Sequence, residues 1–140
     1  MKKKLVVAIF NSTFEIIELL RELLEGEGYT VTSALLADFK YGKRDLVQFM
    51  QQFDPGIIIY DLPPPYLAQL NYLHSVKNME IMKNRRFVFT TTNKIALEKE
   101  EDGRIGAFEL IGKPFDLEEI LKAVEVQALA WSKNQTNEAD

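Results

Sequence analysis

Apolar residues fall along this chain in two alternating patterns. Residues 5–10 and 57–60 are short, unbroken apolar runs, the signature of strands buried on both faces of a parallel sheet. Pro55-Gly56 opens the second run, Asp61 follows it, and Pro63-Pro64-Pro65 ends it, because each proline fixes φ and lacks a ladder donor. Residues 87–91 are aromatic and β-branched and predict another strand; residues 29–33 alternate like an edge strand, and residues 108–111 form a short fifth. Between these runs the apolar positions take helical spacing: 16, 17, 19, 20, 23 and 24; 46, 49, 50 and 53; 67, 70, 73 and 76; and 117, 120, 121, 124, 128 and 131. Residues 94–101 predict a weaker, mostly polar helix. Ser12 with Glu15, and Asp116 with Glu119, read as capping boxes, and Gly26 and Gly28 as a helix stop. Residues 34–42 show no period and read as a connection. Residues 77–85 are polar, with Ile81 and Met82 as tethers, and residues 132–140 read as a frayed polar tail beyond a single domain of residues 1–131.

Five strands alternating with five helices predict a parallel sheet covered on both faces through right-handed crossovers. The expected architecture is α/β: a flavodoxin-like, doubly wound three-layer sandwich with a five-stranded parallel sheet of order 2-1-3-4-5 and five helices. Strands one, three, four and five would then end at Asn11, Asp61, Thr91 and Lys113, on one rim. Ligands and chemistry are placed at that carboxyl rim in open α/β sheets. Asp61 can equally be a capping or loop-bonding carboxylate; its own stretch leaves both readings open.

The chain has 140 residues, a net charge of −4 and 46% hydrophobic residues, with a pI near 5.1. There is no basic excess to hold a nucleic-acid backbone. No apolar run approaches the roughly 20 residues of a membrane span, and residues 5–10 after three lysines are too short for a signal-peptide core. Zero cysteines exclude disulfides and thiolate metal sites and fit a reducing, cytoplasmic setting. His74 is the one histidine and sits among polar neighbours, with no second base to build a triad around.

Several pieces together resemble the receiver domain of bacterial response regulators. Residues 18–29 look like that family's first helix and following turn, Asp61-Leu62 with Pro65 like its phosphoacceptor stretch, Thr91 like its switch hydroxyl, and Gly112-Lys113-Pro114-Phe115 like its Lys-Pro-Phe motif. The resemblance spans residues 4–130. It implies a CheY-like, non-enzymatic module of two-component phosphorelay signalling, acting through protein contact. Asp61 would accept a phosphoryl group, Lys113 would pair with its charge, and Thr91 would supply the hydroxyl, with Thr90 and Thr92 as rivals. The implied partners are a histidine kinase or another signalling protein, or a second copy of the chain in a homodimer. The contact surface would be the 94–101 helix, the last strand and the last helix.

The sequence departs from the family where the metal would sit. The acidic pair after strand one falls on Asn11 and Ser12, so Asp61 and a neutral Ser12 oxygen leave a magnesium site that is weak at best. The aromatic switch position on strand five is Leu110. Without metal, Lys113 and Asp61 are expected to pair directly. Two alternatives follow: a phosphorylation-independent pseudo-receiver, and a flavodoxin-like small-ligand-binding domain, for which Asn11-Ser12-Thr13 makes a poor, glycine-free phosphate loop.

Overall fold

The computed structural model describes residues 4–101, 109–112 and 116–138. The strands are β1 (Val6–Asn11), β2 (Thr30–Leu35), β3 (Ile57–Leu62), β4 (Arg86–Thr91) and β5 (Glu109–Gly112); the helices are α1 (Phe14–Gly26), α2 (Leu36–Lys40), α3 (Leu46–Phe53), α4 (Tyr66–Lys77), α5 (Lys94–Glu101) and α6 (Leu117–Glu138). A single 3-10 turn at Glu80–Met82 anchors the polar stretch before β4 through buried Met82. The sheet order is β2-β1-β3-β4-β5, and every pairing is parallel. This is the doubly wound α/β architecture, with the central strand β3 buried along all six residues.

Two element expectations need correction. Residues 34–42 are not a bare connection: β2 runs through Leu35 and a one-turn helix follows at once, making a sixth helix among the described residues. It has no buried residue of its own, but Leu36 and Phe39 pack against the core, which is why five residues too short to be stable alone stay helical. At the other end, α6 continues through Glu138 rather than fraying at Ser132.

Strand parity separates two cores. On one face Val7, Ile9, Ile57, Ile59 and Val88 pack against Ile17, Leu20 and Leu24 of α1 and against Ile120, Ala123 and Val124 of α6. On the other face Ala8, Phe10, Ile58, Tyr60, Leu62, Phe87 and Phe89 pack against α2, α3, α4 and Leu97 of α5. Local chemistry sets the ends. Asp45 caps α3 by accepting from the Gln48 N–H at 3.1 Å. Gly28 takes a φ of +91° to close α1, with the Tyr29 N–H returning to the Leu24 carbonyl at 3.1 Å. Gly56 lies against the Trp131 ring: an added Cβ there would meet Trp131 Nε1 at 2.3 Å and Leu5 Cδ1 at 2.9 Å.

Candidate functional site

The carboxyl rim gathers Asn11, Ser12, Asp61 and Thr90 from three adjacent strands. Asp61 closes β3 on the aliphatic face, in line with Ile57 and Ile59, and is fully buried. β3 and β4 run in register with Asp61 opposite Thr90 and Leu62 opposite Thr91. In-register partners project to the same face, so Thr90, not Thr91, meets Asp61. The Thr90 hydroxyl donates to Asp61 Oδ1 at 2.8 Å. The Thr91 hydroxyl donates instead to the Leu62 carbonyl at 2.9 Å, so the hydroxyl expected at position 91 sits one residue earlier. The second carboxylate oxygen, Oδ2, accepts from the Ser12 hydroxyl at 3.1 Å.

That bond corrects the reading of Ser12 as a helix cap. The residue at the cap position of α1 is Thr13, and its side chain makes no capping bond. Ser12 faces Asp61 because it follows the end of β1, which lies beside β3 in the sheet. Asn11 is 1% exposed; its Oδ1 accepts from the Thr13 N–H at 3.1 Å, and its Nδ2 is buried with no partner among the described residues. Sequence reasoning also missed the role of Tyr66, whose hydroxyl lies 2.7 Å from Thr92 Oγ1 and ties the start of α4 to the loop after β4. Lys113, and hence its expected pair with Asp61, lies outside the described residues, as does the Leu110 side chain.

A hard cation such as magnesium needs several oxygen ligands in near-octahedral order. Here Asp61 is the one carboxylate among the described rim residues, the Asn11 oxygen is taken by a backbone N–H, and Ser12 directs its proton at Asp61. No group of three or more His, Cys, Asp or Glu among the described residues is placed to hold a metal. The donor set does not fit a resident magnesium ion. It fits a buried carboxylate that accepts from the Ser12 and Thr90 hydroxyls.

The doubly wound parallel sheet of order β2-β1-β3-β4-β5 is a fold that this chain shares with solved receiver-domain structures. The chain superposes on the Vibrio cholerae chemotaxis protein CheY4 with a TM-score of 0.68 at 23% identity, covering 88% of this chain and 98% of that one. A response regulator CheY-like protein from Mesorhizobium loti gives 0.67 at 22% identity, covering 89% and 99%. The C-terminus of Escherichia coli RcsC, which contains a linker region and a phosphoreceiver domain, gives 0.71 at 17% identity, covering 96% of this chain and 50% of that one. At these identities the likeness is one of fold. No family model matches the sequence, and no curated protein matches it. Among the described residues, no helix is long and apolar enough to cross a membrane.

Proposed function

We propose that the chain is a receiver-type module of two-component signalling that works in the cytoplasm by contact with a histidine kinase or another signalling protein, and does so without magnesium-assisted phosphorylation of Asp61. The fold supports the receiver part of this reading. One observation carries the rest: the two oxygens of buried Asp61 are already met by the Ser12 and Thr90 hydroxyls, with neutral Asn11 and Ser12 where a metal cradle would need acids. In this reading Asp61 is a hydrogen-bond hub that fixes the ends of β1, β3 and β4 relative to one another.

The competing reading is a phospho-switch with Asp61 as acceptor, Lys113 as charge partner and Thr90 as the responding hydroxyl. The place of Asp61 at the carboxyl end of the central strand favours it. Intact-mass measurement after incubation with acetyl phosphate, with and without magnesium, separates the two. No magnesium-dependent phosphoryl adduct is expected, and partner capture by wild type, Asp61→Asn and phosphodonor-treated protein should agree. A tenfold phosphodonor effect on capture, about 1.4 kcal/mol, that is lost in Asp61→Asn would establish the phospho-switch instead.

A further inference from the structure

At the amino end of the sheet, opposite the rim, a polar pocket of about 190 Å³ opens between the start of β3, the turn before β4 and α6. Arg85 is fixed in its wall. The side chain is 14% exposed; Nε donates to the Ile81 carbonyl at 3.1 Å, and Nη1 donates to the Pro55 carbonyl at 3.1 Å and to Asp54 Oδ1. These bonds leave Nη2 with no acceptor among the described residues. The Trp131 ring N–H, beside Gly56, has none among them either. Neither donor is sealed in. The buried side-chain atoms without a partner among the described residues are Asn11 Nδ2 and the Tyr60 hydroxyl. Arg85 Nη2 and the Trp131 N–H therefore keep accessible surface, and both residues line the pocket.

We propose that this pocket binds a small molecule through a single carboxylate. Lys83, Asn84 and Gln135 add an ammonium and two amides to the lining, so donors outnumber acceptors. The lining cations are Lys83 and Arg85, and the one acid is Asp54, which Arg85 already pairs. One positive charge is left in excess, which matches a monoanion. Lys83 also reaches Glu80 at 2.8 Å, but both side chains are mostly exposed, and a surface pair of that kind is weak enough to exchange. A guanidinium edge suits a planar carboxylate, and the bond to it is charge-assisted. Arg85 offers that edge already ordered, because its other donors are tied to the backbone and to Asp54. The binding claim does not depend on the signalling role proposed above.

The test follows the Trp131 indole N–H, the one indole signal this chain can give, in ¹H–¹⁵N spectra of the full chain. The probe is sodium acetate, titrated at constant ionic strength against sodium chloride. A saturable shift is expected, shared by the backbone amides of Lys83, Asn84 and Arg85, with a Kd of about 10 mM or tighter. Acetamide has the same shape without the charge and should leave the signal in place. Sodium phosphate should bind more weakly than acetate. Lys83→Ala should weaken acetate about threefold. Gln135→Glu, which sets a negative charge in the lining and spares the Arg85 anchors, should abolish saturation. A shift that stays linear to about 100 mM, that acetamide or chloride reproduces, or that survives Gln135→Glu would overturn the proposal. Phosphate binding tighter than acetate would overturn the carboxylate assignment.

Discussion

On one face of the sheet, Ile9, Ile57, Ile59 and Val88 meet the leucines of α1 and the aliphatic side chains of α6. On the other, Phe10, Tyr60, Phe87 and Phe89 meet Phe39, Phe49 and the leucines of α4. Branched aliphatic side chains interdigitate closely. The rings mostly meet edge to face, with centroids between 5.1 and 6.5 Å apart for Phe10–Phe39, Phe10–Phe49, Phe10–Tyr60, Tyr60–Phe87 and Tyr60–Phe89. Cations close the edges of this face: Arg44 lies 4.9 Å from the Phe49 ring centre and Lys77 5.2 Å from that of Phe87. The aliphatic face ends at the rim in Asp61 with its hydroxyl donors, a polar group that is satisfied. The aromatic face ends in the Tyr60 hydroxyl, a polar group that is not. One sheet thus carries an aliphatic face that ends in a hydrogen-bonded carboxylate and an aromatic face that ends in an unmet hydroxyl.

The largest effect should come from the aliphatic face. Leu20 is fully buried between α1 and the aliphatic strands, so Leu20→Ala should destabilise by about 2–5 kcal/mol in urea unfolding. A loss below about 1 kcal/mol would mean that this face can collapse around a cavity and that the contrast between the faces is wrong.

Next come the two threonines that end β4 on opposite faces. Thr90→Val deletes a hydrogen bond to a buried carboxylate and should cost about 1.5–3 kcal/mol. Thr91→Val deletes one to a neutral carbonyl and should cost about 0.5–1.5 kcal/mol. Equal losses in thermal or urea melts would show that Asp61 does not hold the rim together.

The threonine pair also shows what the sequence made legible. The unbroken apolar runs of β1 and β3 and the acid after the second were enough to place a parallel sheet with Asp61 at its carboxyl rim. The choice between Thr90 and Thr91 depends on register between strands far apart in the chain. A signal for it was nevertheless present. Phe87 and Phe89 alternate with Val88, as Tyr60 alternates with Ile59, so extending the aliphatic parity places Thr90 with Asp61. Ser12 misled because a Ser-x-x-Glu spacing fits a cap and a rim hydroxyl equally well; only the approach of β3 decides. The α2 helix was invisible because it is held by Leu36 and Phe39 against a core assembled from other elements.

Gly56→Ala probes the amino end of the sheet, where β3 begins against α6. Its new methyl would fall 2.3 Å from the Trp131 ring nitrogen, and overpacking of this kind should cost about 1–3 kcal/mol. Adding Trp131→Leu should recover part of that loss, since the ring is the obstacle. If the double variant is no more stable than Gly56→Ala alone, the helix, and not the ring, sets the spacing there.

The smallest effect is the most informative about the aromatic face. Tyr60→Phe would ordinarily be expected to destabilise, because most buried tyrosines lose a hydrogen bond with their hydroxyl. Here the hydroxyl has no partner among the described residues, so its removal takes away a desolvation penalty and leaves ring packing intact. Thermal and urea midpoints should stay level or rise, with a gain of up to about 1 kcal/mol. The ring contacts to Phe10, Phe87 and Phe89 are retained by phenylalanine, so no cavity term opposes the gain. A loss above about 1 kcal/mol would mean that the hydroxyl is bonded in solution, by a held water or another group. The contrast between a met Asp61 and an unmet Tyr60 would then fall.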